Sequence, residues 1–211
     1  ILSVHGLCKA LAARGHDVHV FTTNVDGAGT SDVPVGVPIE LDGVKVWYFQ
    51  VPALRRLYWS PGMQRALKEQ VSGFDIVHTH SVFLWPTSAA ARICRLEKVP
   101  YVIAPRGMLV RDLIRKKSPW IKRAWIALLE RRNIAEAALI HFTSRHEVEE
   151  ATALRLSIRD SCIVPNGLAR ESMGRERCSE WSKGGAAVEK PFLLFIGRIN
   201  WEKGLDRLIA A

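Results

Sequence analysis

The sequence predicts an α/β fold: a parallel sheet with helices on both faces, followed by the first strand and helix of a second unit of the same kind. Three observations carry that prediction. Short apolar, β-rich runs alternate with segments of helical periodicity along most of the chain. Turn-forming Gly, Pro, Asn and Asp punctuate the joins. Polar residues stand at the ends of the apolar runs, where open parallel sheets bind their ligands.

The elements follow in order. Leu2 to Arg14 has helical spacing (Val4, Leu7, Cys8, Leu11, Ala12) and stops at Gly15. His16 to Thr22 alternates as a strand, and Asn24 to Pro38 is a loop rich in Gly, Pro, Ser and Asp. Val44 to Val51 is a second strand, and Pro61 opens a short helix through Val71. Phe74 to Thr79 is a strand ending in His78-Thr79-His80, followed by a helix from about Pro86 to Leu96 and a buried strand Tyr101 to Ala104. Met108 to Lys117 reads as helical. Ser118-Pro119 restarts a helix with Trp120, Ile121, Ala124, Trp125, Leu128 and Leu129 on one stripe, which a sheet needing cover is expected to bury. Ala137 to Phe142 is a strand, Ser144 caps a helix Arg145 to Arg155, and Cys162 to Val164 closes the block. Arg170 to Lys190 loses apolar periodicity and reads as a linker. The expected domains are therefore 1–169, a linker 170–190, and the start of a second domain at 191–211.

Composition narrows the classes. Hydrophobic residues at 48% and charged residues at 24% suit a globular core. No stretch is apolar for long enough to span a bilayer, and no signal peptide is visible. The four cysteines form no C-x-x-C pair, which argues against a disulfide framework or zinc site and for reduced thiols in the cytoplasm. The chain opens without Met in the body of a helix, so a preceding strand is expected to be missing and truncation at both ends is expected. The net charge of +9 is uneven: between Arg106 and Arg132, nine basic residues face only Asp112 and Glu130. An anionic membrane surface or another acidic partner would fit such a segment, and so would an ordinary solvated face. No helix-turn-helix, RNA-binding aromatic motif or zinc finger points to nucleic acid.

The strongest chemical signal lies at 192–207, FLLFIGRINWEKGLDR. An apolar run breaks at Gly197, Arg198 follows, and Lys203-Gly204 opens a helical pattern. Glycine permits close backbone approach, and the two cations beside a helix start can neutralise a diphosphate. His78 and His80 share a strand face, yet no acidic or Cys partner stands nearby to complete a metal site. A hydrogen-bonded structural role for His80 is equally open. Arg106 cannot act as a base at neutral pH but can bind phosphate or an acidic acceptor, a structural ion pair being the alternative. Ser144 and Glu147 have capping-box spacing, and Asn166-Gly167 is a turn.

These residues together resemble family 4 retaining glycosyltransferases, which have the GT-B fold of two Rossmann-like domains. Gly15-His16-Asp17-Val18, Asp75-Ile76-Val77-His78-Thr79-His80, Ala104-Pro105-Arg106-Gly107-Met108-Leu109 and Val164-Pro165-Asn166-Gly167-Leu168 resemble that family's N-terminal motifs. Gly197-Arg198 and Lys203-Gly204 resemble its G-R-x-x-x-x-K-G signature. The resemblance implies transfer of a sugar from a nucleotide-sugar donor to a saccharide or lipid-linked acceptor, with retention, in cell-surface polysaccharide or glycolipid biosynthesis. It implies Arg198 and Lys203 as catalytic cations, with His80, Arg106, Gly107, Ser144, Asn166 and Gly197 binding substrate. No metal or other cofactor is implied. Many members carry a catalytic histidine where this chain has Arg106, so that role does not carry over. Family donor sites also use a downstream glutamate pair that the chain does not reach, so residues 1–211 alone are expected to be inactive. The expected place is cytoplasmic, at the inner face of the membrane. A GT-B sugar-nucleotide epimerase, or a non-catalytic basic module, remains an alternative at this point.

Overall fold

The computed structural model describes residues 2–111, 114, 119–167 and 205–210. The chain divides into two compact units, Ile1–Leu168 and Ala169–Ala211. In the second, the described part is a helix, Leu205–Ala210. The expected linker 170–190, the strand 192–196 and the residues Gly197, Arg198 and Lys203 lie outside the described residues.

The first unit is α/β, as the alternation predicts. Its principal sheet has four parallel strands in sequence order: β6 (Val77–His80), β7 (Tyr101–Ala104), β8 (Leu139–Phe142) and β9 (Ser161–Ile163). A second sheet pairs β1 (His19–Thr23) in parallel with β5 (Val44–Phe49), and β5 in antiparallel with β4 (Pro38–Leu41). The sequence reading ended the first loop at Pro38 and missed β4. Its PIEL run is short and begins on proline, which lacks a ladder donor and belongs on an edge. Asp42 and Gly43, both at positive φ, make the tight turn that folds β4 back onto β5. A two-residue ribbon, β2 (Val25–Asp26) with β3 (Gly29–Thr30), occupies the Gly-rich loop.

Helices begin where capping chemistry allows. Ser60 is buried, accepts the Met63 N–H at 3.3 Å and donates to the Gln50 carbonyl at 2.8 Å, starting α2 (Pro61–Gln70). Proline at the first position removes a donor that would have had no helical partner. A 3-10 turn at Val71–Gly73 then takes the Phe74 N–H, so β6 begins at Val77 rather than Phe74. α3 (Trp85–Glu97) ends in Lys98 at φ 59°, a left-handed C-cap. The core joins Met63 and Leu67 of α2, Ile93 and Cys94 of α3, Tyr101 and Ile103 of β7, and Ile140 and Phe142 of β8.

Between β7 and β8 the chain forms α4 (Pro119–Trp125), a π-helical turn Ile126–Glu130 and α5 (Arg131–Ala135). The expected burial of its apolar stripe fails here. Trp120, Ile121 and Leu128 are 78%, 67% and 77% exposed, and Leu129 is 40% exposed. Buried Glu130, Asn133 and Ile134 instead turn inward. Two further helices of the first unit are α1 (Leu2–Ala12) and α6 (Arg145–Ala153), the latter leaving the tip of β8.

Candidate active site at the strand tips

The parallel register assembles the site. His78 pairs with Val102 and His80 with Ala104, while Val102 pairs with Leu139 and Ile103 with Ile140. The next residues along, Ala104 and His141, therefore stand level with His80, and alternation puts all three on one face. Ala104 is fully buried. Its methyl group leaves the space in which His78 and His141 meet, ring nitrogens 3.3 Å apart, while the rings of His78 and His80 lie 4.3 Å apart.

The hydrogen bonds dictate the tautomers. His141 Nε2 lies 2.9 Å from the Val164 carbonyl and must donate to it. Its Nδ1 then accepts from His78 Nε2. Arg106 donates to His80 Nδ1 through Nε and Nη2, at 3.3 and 3.2 Å, so His80 carries its proton on Nε2. Arg106 Nη1 also donates to Asn166 Oδ1. One guanidinium thus ties together the last residue of β6 and the residues after β7 and β9. Among the described residues three of its five N–H groups are engaged, which leaves one each on Nη1 and Nη2 for a ligand.

The backbone is bent to make this possible. Arg106 and Gly107 follow β7 with φ of 54° and 75°, and Met108 N–H closes the turn on the Pro105 carbonyl at 3.2 Å. Ser81 and Phe83, after β6, are also left-handed at 78° and 62°. For residues with a Cβ each such conformation costs roughly 1–2 kcal/mol. Strain of this sort gathers at functional sites.

The other predicted residues form a second cluster. Ser144 Oγ accepts the Glu147 N–H at 3.3 Å, and Glu147 Oε2 accepts from Thr143 N–H at 2.5 Å and Thr143 Oγ1 at 2.8 Å. This is the predicted capping box displaced by one residue. Gly107 borders the same carboxyl group: a Cβ there would meet Glu147 Oε1 at 3.7 Å. Ser144 and Gly107 therefore border the loop scaffold, while Arg106 contacts both His80 and Asn166. Among the described residues no group of His, Cys, Asp and Glu is arranged to hold a metal.

Sequence reasoning missed His141 and Glu130. A histidine inside the apolar run Ala137 to Phe142 was the available signal for the first. Glu130 had read only as a counter-charge. It is buried, and its side chain accepts from Phe83 N–H (3.1 Å), Ser88 Oγ (3.1 Å), Trp125 Nε1 (3.0 Å) and Asn133 Nδ2 (3.4 Å). It fastens the loop that follows His80 to the π-helical turn.

Residues 2–167 match the family described as the glycosyl transferase 4-like domain. The chain belongs to that family. Its first unit is therefore a glycosyltransferase domain of Rossmann-like, GT-B-associated architecture, and sugar donors and acceptors are its general class of substrate. No curated protein matches the chain.

The electrostatics at these strand tips keep His78 and His80 neutral. Burial, then His141 and Arg106, pushes His78 down to about 4. Burial, then His78, Arg106 and His141, pushes His80 down to about 3. An unfolded histidine titrates near 6.5, so on acidification the unfolded chain takes up protons first. Their stabilising effect is complete above about pH 6.5, declines as the pH falls and levels off below about 3–4. From pH 7.5 to 5.0 the pair is expected to remove on the order of 2–4 kcal/mol. Urea unfolding at both pH values should show that loss shrinking in a His78→Gln/His80→Gln variant; an identical pH response would contradict the assignment.

Proposed function

We propose that the unit binds the acceptor of a retaining sugar transfer at the tips of β6, β7 and β9, through His80, Arg106 and Asn166. The observation behind this is the guanidinium bridge. Arg106 bonds to a neutral imidazole and an amide, and no carboxylate pairs with it among the described residues. Its positive charge and two remaining N–H groups suit an anionic or hydroxyl-rich acceptor. His80 Nε2 adds a neutral donor. The donor substrate is a nucleotide-diphosphate sugar, held by Gly197, Arg198 and Lys203. The last two carry the charge of the leaving diphosphate in place of a metal ion. Each such contact contributes roughly 1.5–3 kcal/mol, or about tenfold to a hundredfold in rate.

A radiolabelled nucleotide-sugar, incubated with the gene product that carries this chain, tests the reading. Label should appear in an acceptor with retained anomeric configuration. Conversion of the donor sugar without an acceptor would establish epimerisation instead.

A second reading concerns place. The exposed Trp120, Ile121 and Leu128, interleaved with Lys122 and Arg123, fit peripheral attachment to the anionic inner face of a membrane, where a lipid-linked acceptor would be found. No described helix is long and apolar enough to cross a membrane. Co-sedimentation with anionic vesicles at low salt should fall at least about tenfold in a Trp120→Ser/Leu128→Ser variant, since each inserted side chain is worth roughly 1.5–3 kcal/mol. Equal sedimentation would remove membrane attachment from the account.

A further inference from the structure

A cleft of about 330 Å³ opens on the outer helical layer, between the π-helical turn, the start of α5 and the far end of α6. Leu154 marks that end, and Ser144 marks the end at the strand tips. Nine helical residues separate the two, roughly 13 Å along the axis. The cleft is therefore distinct from the His80–Arg106–Asn166 site.

Three arginines line it: Arg111, Arg123 and Arg131, all exposed residues. None is paired with a carboxylate among the described residues. One carboxylate stands close by: Glu150 Oε2 accepts the backbone N–H of Arg111 at 3.0 Å. Arg123 leans over the Trp120 ring at 5.6 Å. The rest of the lining is apolar, chiefly Ile114, Ile126 and Leu154, with Ile114 only 5% exposed. Like charges that outnumber the neighbouring Glu150 carboxylate raise the local potential and favour an anion. Guanidinium groups are matched to phosphate oxygens in particular. An apolar floor beside them rejects a fully hydrated ion and favours one that carries hydrocarbon.

We infer that this cleft binds a phosphate monoester joined to a hydrocarbon chain, the phosphate among the three guanidinium groups and the chain against Ile114, Ile126 and Leu154. The inference needs neither the sugar-transfer reading nor membrane attachment, because its test reads binding alone. Such a ligand has two sources, a free metabolite or a lipid headgroup, and the experiment separates them.

Hexyl phosphate, inorganic phosphate and hexanol are titrated calorimetrically into the intact chain. Hexyl phosphate should bind at least about tenfold more tightly than inorganic phosphate, since each methylene buried adds roughly fourfold. Hexanol should not bind. Arg123→Gln should weaken hexyl phosphate about tenfold, and Arg111→Gln/Arg123→Gln/Arg131→Gln should abolish binding. Arg106→Gln should leave it in place, which separates this cleft from the strand-tip site. Ile126→Asn should erase the advantage of hexyl phosphate while inorganic phosphate binds as before. Flotation with phosphatidylcholine vesicles, with and without phosphatidic acid, forms the second arm. Capture by phosphatidic acid that the triple variant loses assigns the site to a bilayer headgroup; titration by hexyl phosphate without capture assigns it to a soluble ester. Binding unchanged in the triple variant, equal affinity for the inorganic ion, or failure of both ligands would overturn the inference.

Discussion

Glu130→Ala is expected to destabilise the domain by about 3–5 kcal/mol, the scale for breaking a buried polar network. The side chain is 2% exposed and holds four donors drawn from three separate segments: Phe83 after β6, Ser88 in α3, and Trp125 and Asn133 on either side of the π-helical turn. Truncation leaves all four facing a void that the packed core cannot close. Glu130→Gln is the informative comparison. Its amide oxygen can keep the three bonds now made by Oε1, and its NH₂ then opposes the Asn133 amide, a cost of about 1–2 kcal/mol. Urea unfolding should rank wild type, Glu130→Gln and Glu130→Ala in that order. Equal stability of the two variants would show that the network contributes nothing beyond filled volume.

Arg106 answers to a different measurement. Arg106→Ala should lower the kcat/KM of sugar transfer by about a hundredfold or more, from loss of a charge-assisted contact and of the bridge that positions His80 and Asn166. Arg106→Lys keeps the charge and still falls at least tenfold, because an ammonium cannot reach His80 and Asn166 at once with planar geometry. Stability should barely move in Arg106→Gly: the hydrogen bonds lost are offset by relief of a left-handed backbone at φ 54°. A large fall in activity with a nearly unchanged unfolding midpoint marks the residue as a ligand contact. A parallel loss of both would make it a structural tie.

Much of this was legible before any coordinates. Strands β5 to β9 announced themselves as apolar runs, and the chemistry at their ends followed from the rule that parallel sheets bind ligands there. His80, Arg106 and Asn166 were singled out one by one, and the structure brings His80 and Asn166 each onto Arg106. What the one-dimensional pattern lacked was register. Only the pairing of β7 with β8 sets Ala104 beside His141 and turns an isolated histidine in an apolar strand into a partner of His78. Glu130 was hidden for the same reason, since its four donors come from positions 3 to 47 residues away. The apolar stripe of α4 misled because periodicity shows that a helix has an oily face, not what covers it.

The π-helical turn has a further consequence. Arg131 N–H bonds to the Ile126 carbonyl, so this turn holds one residue more than a regular one, and Trp125 and Glu130, five apart, share an indole-to-carboxyl bond. Excising any single residue from 126 to 129 would let the coil wind evenly and swing the whole outer half, with its tryptophan at 120, about a hundred degrees around its own axis relative to the anchored acid. An insertion thus sets the compass bearing of the greasy face, and homologous chains without it would be aimed elsewhere.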